Sequence, residues 1–206
     1  VFVLNRAHRE MIYRSVRECV DAGGLIAQLH TAFVNLPADV RALAARDEPL
    51  PIGHGATNSQ PWTVQFMLEL LHVPEGARVL DVGSGSGWTT ALLAQLAGPR
   101  GSVLGLEVVP ELVEFGRANL ARFDLGWARI EPAGKGTLGA PEAGPFDRIL
   151  VSADAGVVPS ALEEQLAIGG RMVLPAAGVM WVIDRDHEGW HREPVMGYRF
   201  SFVPLV

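Results

Sequence analysis

A chain of 206 residues, 49% of them hydrophobic, can bury one full core, so a single domain spanning 1–206 is the expectation. Its formal net charge of -6, with the basic residues scattered, lacks the electrostatic footprint of a nucleic-acid binder. No run approaches the roughly 18 apolar residues of a membrane span, so neither nucleic acid nor membrane is an expected partner.

The opening VFVLNRAHRE meets charged residues too soon after its four apolar ones to be a signal-peptide core. Its first residue is valine and not methionine, and a short upstream segment is therefore expected. In RAHREMIYRSVRECVDAGG, Ile12, Val16, Cys19 and Val20 recur at helical spacing, and Gly23 with Gly24 supplies a stop. Cys19 is the only cysteine, which rules out a disulfide within the chain and points to a reducing compartment, the cytoplasm by default. After a less decipherable helical stretch, DEPLPIGHGATNSQ reads as an ordered loop that closes a helical extension over residues 1–60. A core over 61–206 follows. It begins with PWTVQFMLELL, where Pro61 suits a first helical turn and Val64, Met67, Leu68 and Leu71 share a face.

From Arg78 onward the runs RVLDVG, SVLGLEVV, WARIEPA, FDRILVSA and RMVLPAA are short and rich in β-branched residues. Helical segments GWTTALLAQLAG, PELVEFGRANLARF and PSALEEQL separate several of them. Connections of that length are crossovers, so the predicted fold is α/β: a doubly wound, mostly parallel sheet with helices on both faces. The tail, MWVIDRDHEGWHREP followed by YRFSFVPLV, reads as two strands around a polar turn, an antiparallel C-terminal edge.

DVGSGSG, residues 81–87, places Gly83, Gly85 and Gly87 between a strand and a helix, where the backbone can turn tightly and approach a ligand. The dinucleotide fingerprint is G-x-G-x-x-G. Here the spacing is G-x-G-x-G behind Asp81, an acid that would repel phosphate and suit a cationic amine such as that of S-adenosylmethionine. Glu107 ends the next strand, placed to accept both ribose hydroxyls. The plainer alternative is a tight turn beside a surface acid.

PLPIGHGATNSQP, RVLDVGSGSGWTTALLA, GPFDRILVSADAGVVPSALEEQLAIGGRMVLP and the terminal FVPL together resemble, in order and spacing, the protein-L-isoaspartate O-methyltransferase family, from roughly Pro49 to the end. The resemblance implies a Rossmann-like methyltransferase that moves the methyl group of S-adenosylmethionine to the α-carboxylate of an isoaspartyl residue in a damaged protein or peptide. The ester then promotes succinimide formation and return to aspartate. It implies a catalytic Ser59, matching the serine of the family's T-I-S-x-P, and a cofactor site comprising Asn58, Asp81, Gly83, Ser84, Gly85, Ser86, Gly87, Glu107, Val108, Lys135 and Gly136. A carboxylate acceptor is already ionised at neutral pH, so no general base and no metal are expected. Read without the resemblance, Ser59 is equally a cap for the helix that follows.

Three positions depart from the family. Lys135, the one lysine among 17 basic residues, stands in GKG where relatives carry G-D-G, and an ammonium cannot accept from the adenine amine. Either backbone groups around Gly136 read the adenine while the ammonium points to solvent, or cofactor affinity and substrate differ. Asn58 replaces an isoleucine beside Ser59, and the family's upstream P-R-x-x-F-V-P is only dimly echoed. These departures leave two alternatives open: a methyltransferase of the same fold with another peptide or small-molecule acceptor, or a non-catalytic ligand-binding relative. DRDHEGWH reads as a hairpin turn with solvated charges in preference to a metal site. His54 and Trp62 flank the serine loop, and Trp88 is expected to pack against the cofactor loop.

Overall fold

In a computed structural model, residues 46–206 are described together with Val40 and Leu43. The expected first helix and Cys19 lie outside the described residues. The ordered loop of the sequence reading is a small hairpin, β1 (Leu50–Gly53) paired antiparallel with β2 (Ala56–Asn58). His54 and Gly55 turn it with φ of 54° and 75°, both left-handed, which is what a two-residue hairpin turn with the right twist requires. A histidine in place of the usual asparagine or glycine at the first turn position hid that hairpin.

Helix α1 (Pro61–Leu71) follows, then β3 (Arg78–Val82), α2 (Trp88–Ala97), β4 (Ser102–Glu107), α3 (Pro110–Leu120), β5 (Ala128–Pro132) and β6 (Phe146–Val151). A one-turn helix α4 (Ser160–Glu163) leads into β7 (Leu166–Ala176), β8 (Val179–Arg185) and β9 (Trp190–Val195). The main sheet has the order β5-β4-β3-β6-β7-β8-β9, parallel from β5 to β7 and antiparallel from β7 to β9. The strand order reverses beside β3, so the carboxyl ends of β3, β4 and β6 open a crevice at a topological switch point.

Alternation along the strands sorts the core. Val79, Val103, Leu150 and Val173 face α1, α2 and α3 in one apolar cluster, while Leu80, Val82, Leu104, Leu106, Ile149 and Val151 face the other way. That second face carries a thinner layer than expected. Among the described residues it is covered by α4, a 3-10 turn at Pro141–Ala143 and loops. PSALEEQL forms only one helical turn, because the strand starts at Leu166, five residues before the expected Arg171. The two C-terminal strands both lie within 179–195; Asp186, the acceptor for Glu188 and Gly189 N–H and for His191, shapes the turn between them. YRFSFVPLV is not a strand. It runs back over the carboxyl ends of the sheet, where its one β-bridge among the described residues pairs Asp154 with Pro204.

Candidate active site

Two adjoining cavities lie at that edge. The larger, about 570 Å³, is lined by Val82, Gly83 and Gly85 at the end of β3, Glu107 to Val109 at the end of β4, the 133–139 loop apart from Lys135, Ser152, Ala153 and Ala155 after β6, the β1–β2 hairpin and Val203 to Val206. The smaller, about 250 Å³, is lined by Ser59, Gln60 and Trp62 at the start of α1 and by Arg199 to Val203. Thr57, Ser152 and Val203 line both, so the cavities share a wall where two bound molecules would meet.

The glycine turn is held from below. Gly83 and Ser84 both donate to the Leu106 carbonyl at 2.9 Å. At Gly87, with φ of 81°, an added Cβ would stand 2.9 Å from the Gly116 carbonyl oxygen, so only glycine lets α2 start this close to α3. Glu107, 7% exposed, is the anchor: Oε1 accepts from Val108 and Val109 N–H at 2.8 and 2.9 Å, and Oε2 accepts from Gly85 N–H at 2.9 Å. A carboxylate offers about four lone-pair positions, so one remains, on Oε2. The expected pair of ribose hydroxyls can be received only if a backbone N–H gives way.

Asp81 does not line the cavity. The β3 alternation turns it inward under α2, where it is fully buried and its Oδ2 accepts from Thr89 and Thr90 hydroxyls at 2.8 and 2.7 Å. Its Oδ1 has no hydrogen-bond partner among the described residues. Burial pushes the carboxyl up to about 6; hydrogen bonds from Thr90 and Thr89 oppose the rise and the Glu107 charge adds to it. Asp81 therefore lies beneath the glycine turn, where only its field and not a contact reaches the cavity. The expectation of two acids flanking a nucleoside is corrected on this point.

Of the other expected cofactor residues, Gly83, Gly85, Val108 and Gly136 line the large cavity with Glu107. Ser84, Ser86, Gly87, Asn58 and Lys135 do not. Asn58 instead accepts from the Ser86 hydroxyl at 2.5 Å and Asn119 donates to the Ser86 carbonyl at 2.9 Å, a buried chain that pins the β1–β2 hairpin to the glycine turn. Lys135 is exposed, while the backbone on either side of it, Gly134 and Gly136, faces the cavity. That placement agrees with an ammonium that points to solvent, one half of the first reading of GKG. His54 lines the large cavity, and Trp62 stacks on Phe66 and Phe200, tying α1 to the C-terminal segment. Trp88 is buried in the core beside the turn.

Ser59 is not a helix cap. Gln60 holds the cap position, and Asp47 serves the N-terminus of α1 from outside: its Oδ1 accepts from the Trp62 backbone N–H at 2.8 Å, and its Oδ2 accepts from the Gln60 side-chain Nε2 at 3.1 Å. The half-buried serine faces the small cavity. Arg199, missed in the sequence, is the one charged side chain among the described residues lining that cavity. Among the described residues no carboxylate lines it, so an anionic occupant is favoured. A lone arginine in a coil carries no spacing signal that could have singled it out.

The donor set suits S-adenosylmethionine. Its volume lies within the range of small-molecule sites, the turn is stripped of side chains at Gly83 and Gly85, Glu107 keeps an open acceptor position, and the orphaned Asp81 Oδ1 supplies negative potential for a cationic ligand.

A family model described as protein-L-isoaspartate(D-aspartate) O-methyltransferase matches residues 30–206. A protein-L-isoaspartate O-methyltransferase of Anaeromyxobacter dehalogenans (strain 2CP-C) is 49% identical over 198 residues, 92% of this chain and 90% of the relative. One from Methanothrix thermoacetophila is 44% identical over 178 residues, 83% and 81% of the two chains. Among solved structures, a protein of the same description from Plasmodium falciparum, in complex with S-adenosyl-L-homocysteine, superposes with a TM-score of 0.77 at 25% identity, covering 97% of this chain and 98% of that one.

Proposed function

The chain belongs to the protein-L-isoaspartate O-methyltransferase family, and from that membership we propose how its residues carry out S-adenosylmethionine-dependent methylation of isoaspartyl carboxylates in damaged proteins and peptides. The observation that carries the reading is the shared wall between a cavity suited to a cationic nucleoside and a cavity whose one charged lining residue, among those described, is an arginine.

S-adenosylmethionine in the larger cavity supplies a methyl group on a positively charged sulfur. Glu107 and the Gly83–Gly85 turn hold the nucleoside end, and the Asp81 field favours the cationic end. The isoaspartyl α-carboxylate is ionised at neutral pH and needs no base to act as nucleophile. The chain's task is therefore placement: Ser59 donates its hydroxyl to one carboxylate oxygen, Arg199 attracts the anion, and Thr57, Ser152 and Val203 keep the reacting atoms together and water away. With S-adenosylmethionine bound, its sulfur would keep the electron pair of the broken carbon–sulfur bond as the carboxylate oxygen took the methyl carbon, so none of these residues has to move a proton. We place the protein in the cytoplasm on the ground of its single cysteine, Cys19. Among the described residues no helix is long and apolar enough to cross a membrane.

Two outcomes follow for measurement. Incubated with S-adenosylmethionine, the protein is expected to methylate an isoaspartyl peptide and to leave the normal aspartyl twin untouched; equal labelling of both would remove the substrate assignment. The second concerns pH. Because the Asp81 value is raised in the folded chain, its carboxylate costs stability, a cost absent below the ordinary value of 3.8 and complete above about 6. A bound cation offsets that cost. Donor affinity is thus expected to rise about 10-fold on going from pH 5 to 7.5, with proton release near pH 6. Titration calorimetry in buffers of different ionisation enthalpy reads both, and Asp81→Asn should bind more weakly at pH 7.5 and lose the slope. A flat wild-type profile would contradict the role of Asp81.

A further inference from the structure

We propose that Asp154 is a positioning residue for the acceptor, fixing through the β7–β8 turn the C-terminal segment that walls both cavities; this rests on the reading of the small cavity as the acceptor site. Asp154 lies in the loop after β6, two residues beyond Ser152, and is itself in neither cavity lining. Its backbone grips the C-terminal segment on both sides of Pro204: Asp154 N–H donates to Val203 O, and its carbonyl accepts from Leu205 N–H, both at 2.8 Å.

The side chain reaches a different partner. Oδ1 accepts from Gly156 N–H at 2.8 Å and Ala177 N–H at 2.9 Å, and Oδ2 accepts from Gly178 N–H at 3.3 Å. Ala177 and Gly178 form the turn between β7 and β8 with φ of 50° and 74°. Two successive left-handed residues aim their N–H groups to one side, a concavity that takes an anion, and an alanine adopts that conformation only at a cost. Those N–H donors, with Gly156 foremost, hold the Asp154 carboxyl below its ordinary range. The turn then passes the constraint on: the Gly178 carbonyl accepts from Phe200 N–H at 3.0 Å, and Phe200 sits between Arg199 and Ser201 in the wall of the small cavity.

The side chain and backbone of one residue thus hold different stretches. The backbone holds 203–205, which lines the donor cavity; the carboxylate holds 199–202, which lines the acceptor cavity, by way of the turn. Removing the carboxylate releases the second and leaves the first. In Asp154→Ala, KM for an isoaspartyl peptide is expected to rise about 10-fold, the size of a lost hydrogen bond to a charged group, while calorimetric affinity for S-adenosylhomocysteine stays within about 3-fold. Asp154→Asn keeps the shape with one acceptor oxygen in place of two and should fall between.

Amide hydrogen exchange provides a readout that does not need turnover. Exchange should quicken at 177–178 and 199–202 in Asp154→Ala and stay unchanged in β3, β4 and β6. If exchange at 199–202 is unaltered, if it rises equally across the sheet, or if KM stays put while the segment loosens, the proposal is overturned. A wild-type protein inactive on isoaspartyl peptide would instead remove the acceptor reading, and the exchange pattern would still decide whether Asp154 governs the segment.

Discussion

Ser59→Ala is expected to lower kcat/KM for an isoaspartyl peptide by about 100-fold, the size of the loss when a reacting group is no longer held in line, while donor affinity stays unchanged. The serine sits between β2 and α1, half-buried, on the wall of the small cavity. Its neighbours make it available: Asp47 satisfies the helix N-terminus that a serine at this point commonly serves, so no described structural bond is lost in the variant. The loss should fall on kcat as well as KM, because the hydroxyl orients the nucleophile in addition to binding it. Unfolding midpoints should match those of wild type. A variant with full turnover would show that the carboxylate is placed by Arg199 and backbone groups alone.

The second large effect is expected at Glu107. Its carboxylate accepts three backbone N–H groups, from Gly85, Val108 and Val109, and keeps one position open toward the cavity. In Glu107→Gln one oxygen becomes an NH2 group that must face backbone donors, so the glycine turn and the β4 end lose their common anchor and the nucleoside loses its acceptor. Hydrogen bonds to a charged group are worth about 1.5–3 kcal/mol each, and losing even one should weaken S-adenosylhomocysteine binding at least about 10-fold. Calorimetry decides the matter; affinity within about 3-fold of wild type would mean that Glu107 only shapes the loop. Because Ser59→Ala spares donor binding and Glu107→Gln spares the acceptor cavity, the two variants separate the two halves of the site.

Much of this site was legible before any coordinates. The bare turn at Gly83 and Gly85 and an acid at the end of the following strand are spacing signals, since parallel strands bring β3 and β4 to the same edge in fixed register. What spacing does not reveal is which way a side chain points. Asp81 was expected at the ligand, yet alternation from Val79 turns it toward Thr89 and Thr90 beneath α2. Asn58 and Ser86 looked like cofactor residues and bond to each other instead. The acceptor side was the least legible part. Arg199 and Asp154 lie in segments with almost no ladder hydrogen bonds, where neither a period of 2 nor one of 3.6 exists to be read. Asp154 meets partners 23 and 50 positions away in the chain, Ala177 and Pro204, contacts that no local pattern announces.

The central claim is that the two cavities deliver a methyl group to one specific carboxylate. The most direct measurement is tandem mass spectrometry of a peptide carrying an isoaspartyl residue beside normal aspartyl and glutamyl residues, after a single turnover with S-adenosylmethionine. The methyl group is expected on the α-carboxylate of the isoaspartyl residue alone. Its appearance on an aspartyl or glutamyl side chain, or on a peptide nitrogen, would contradict the assignment of the acceptor cavity and of the residues that line it.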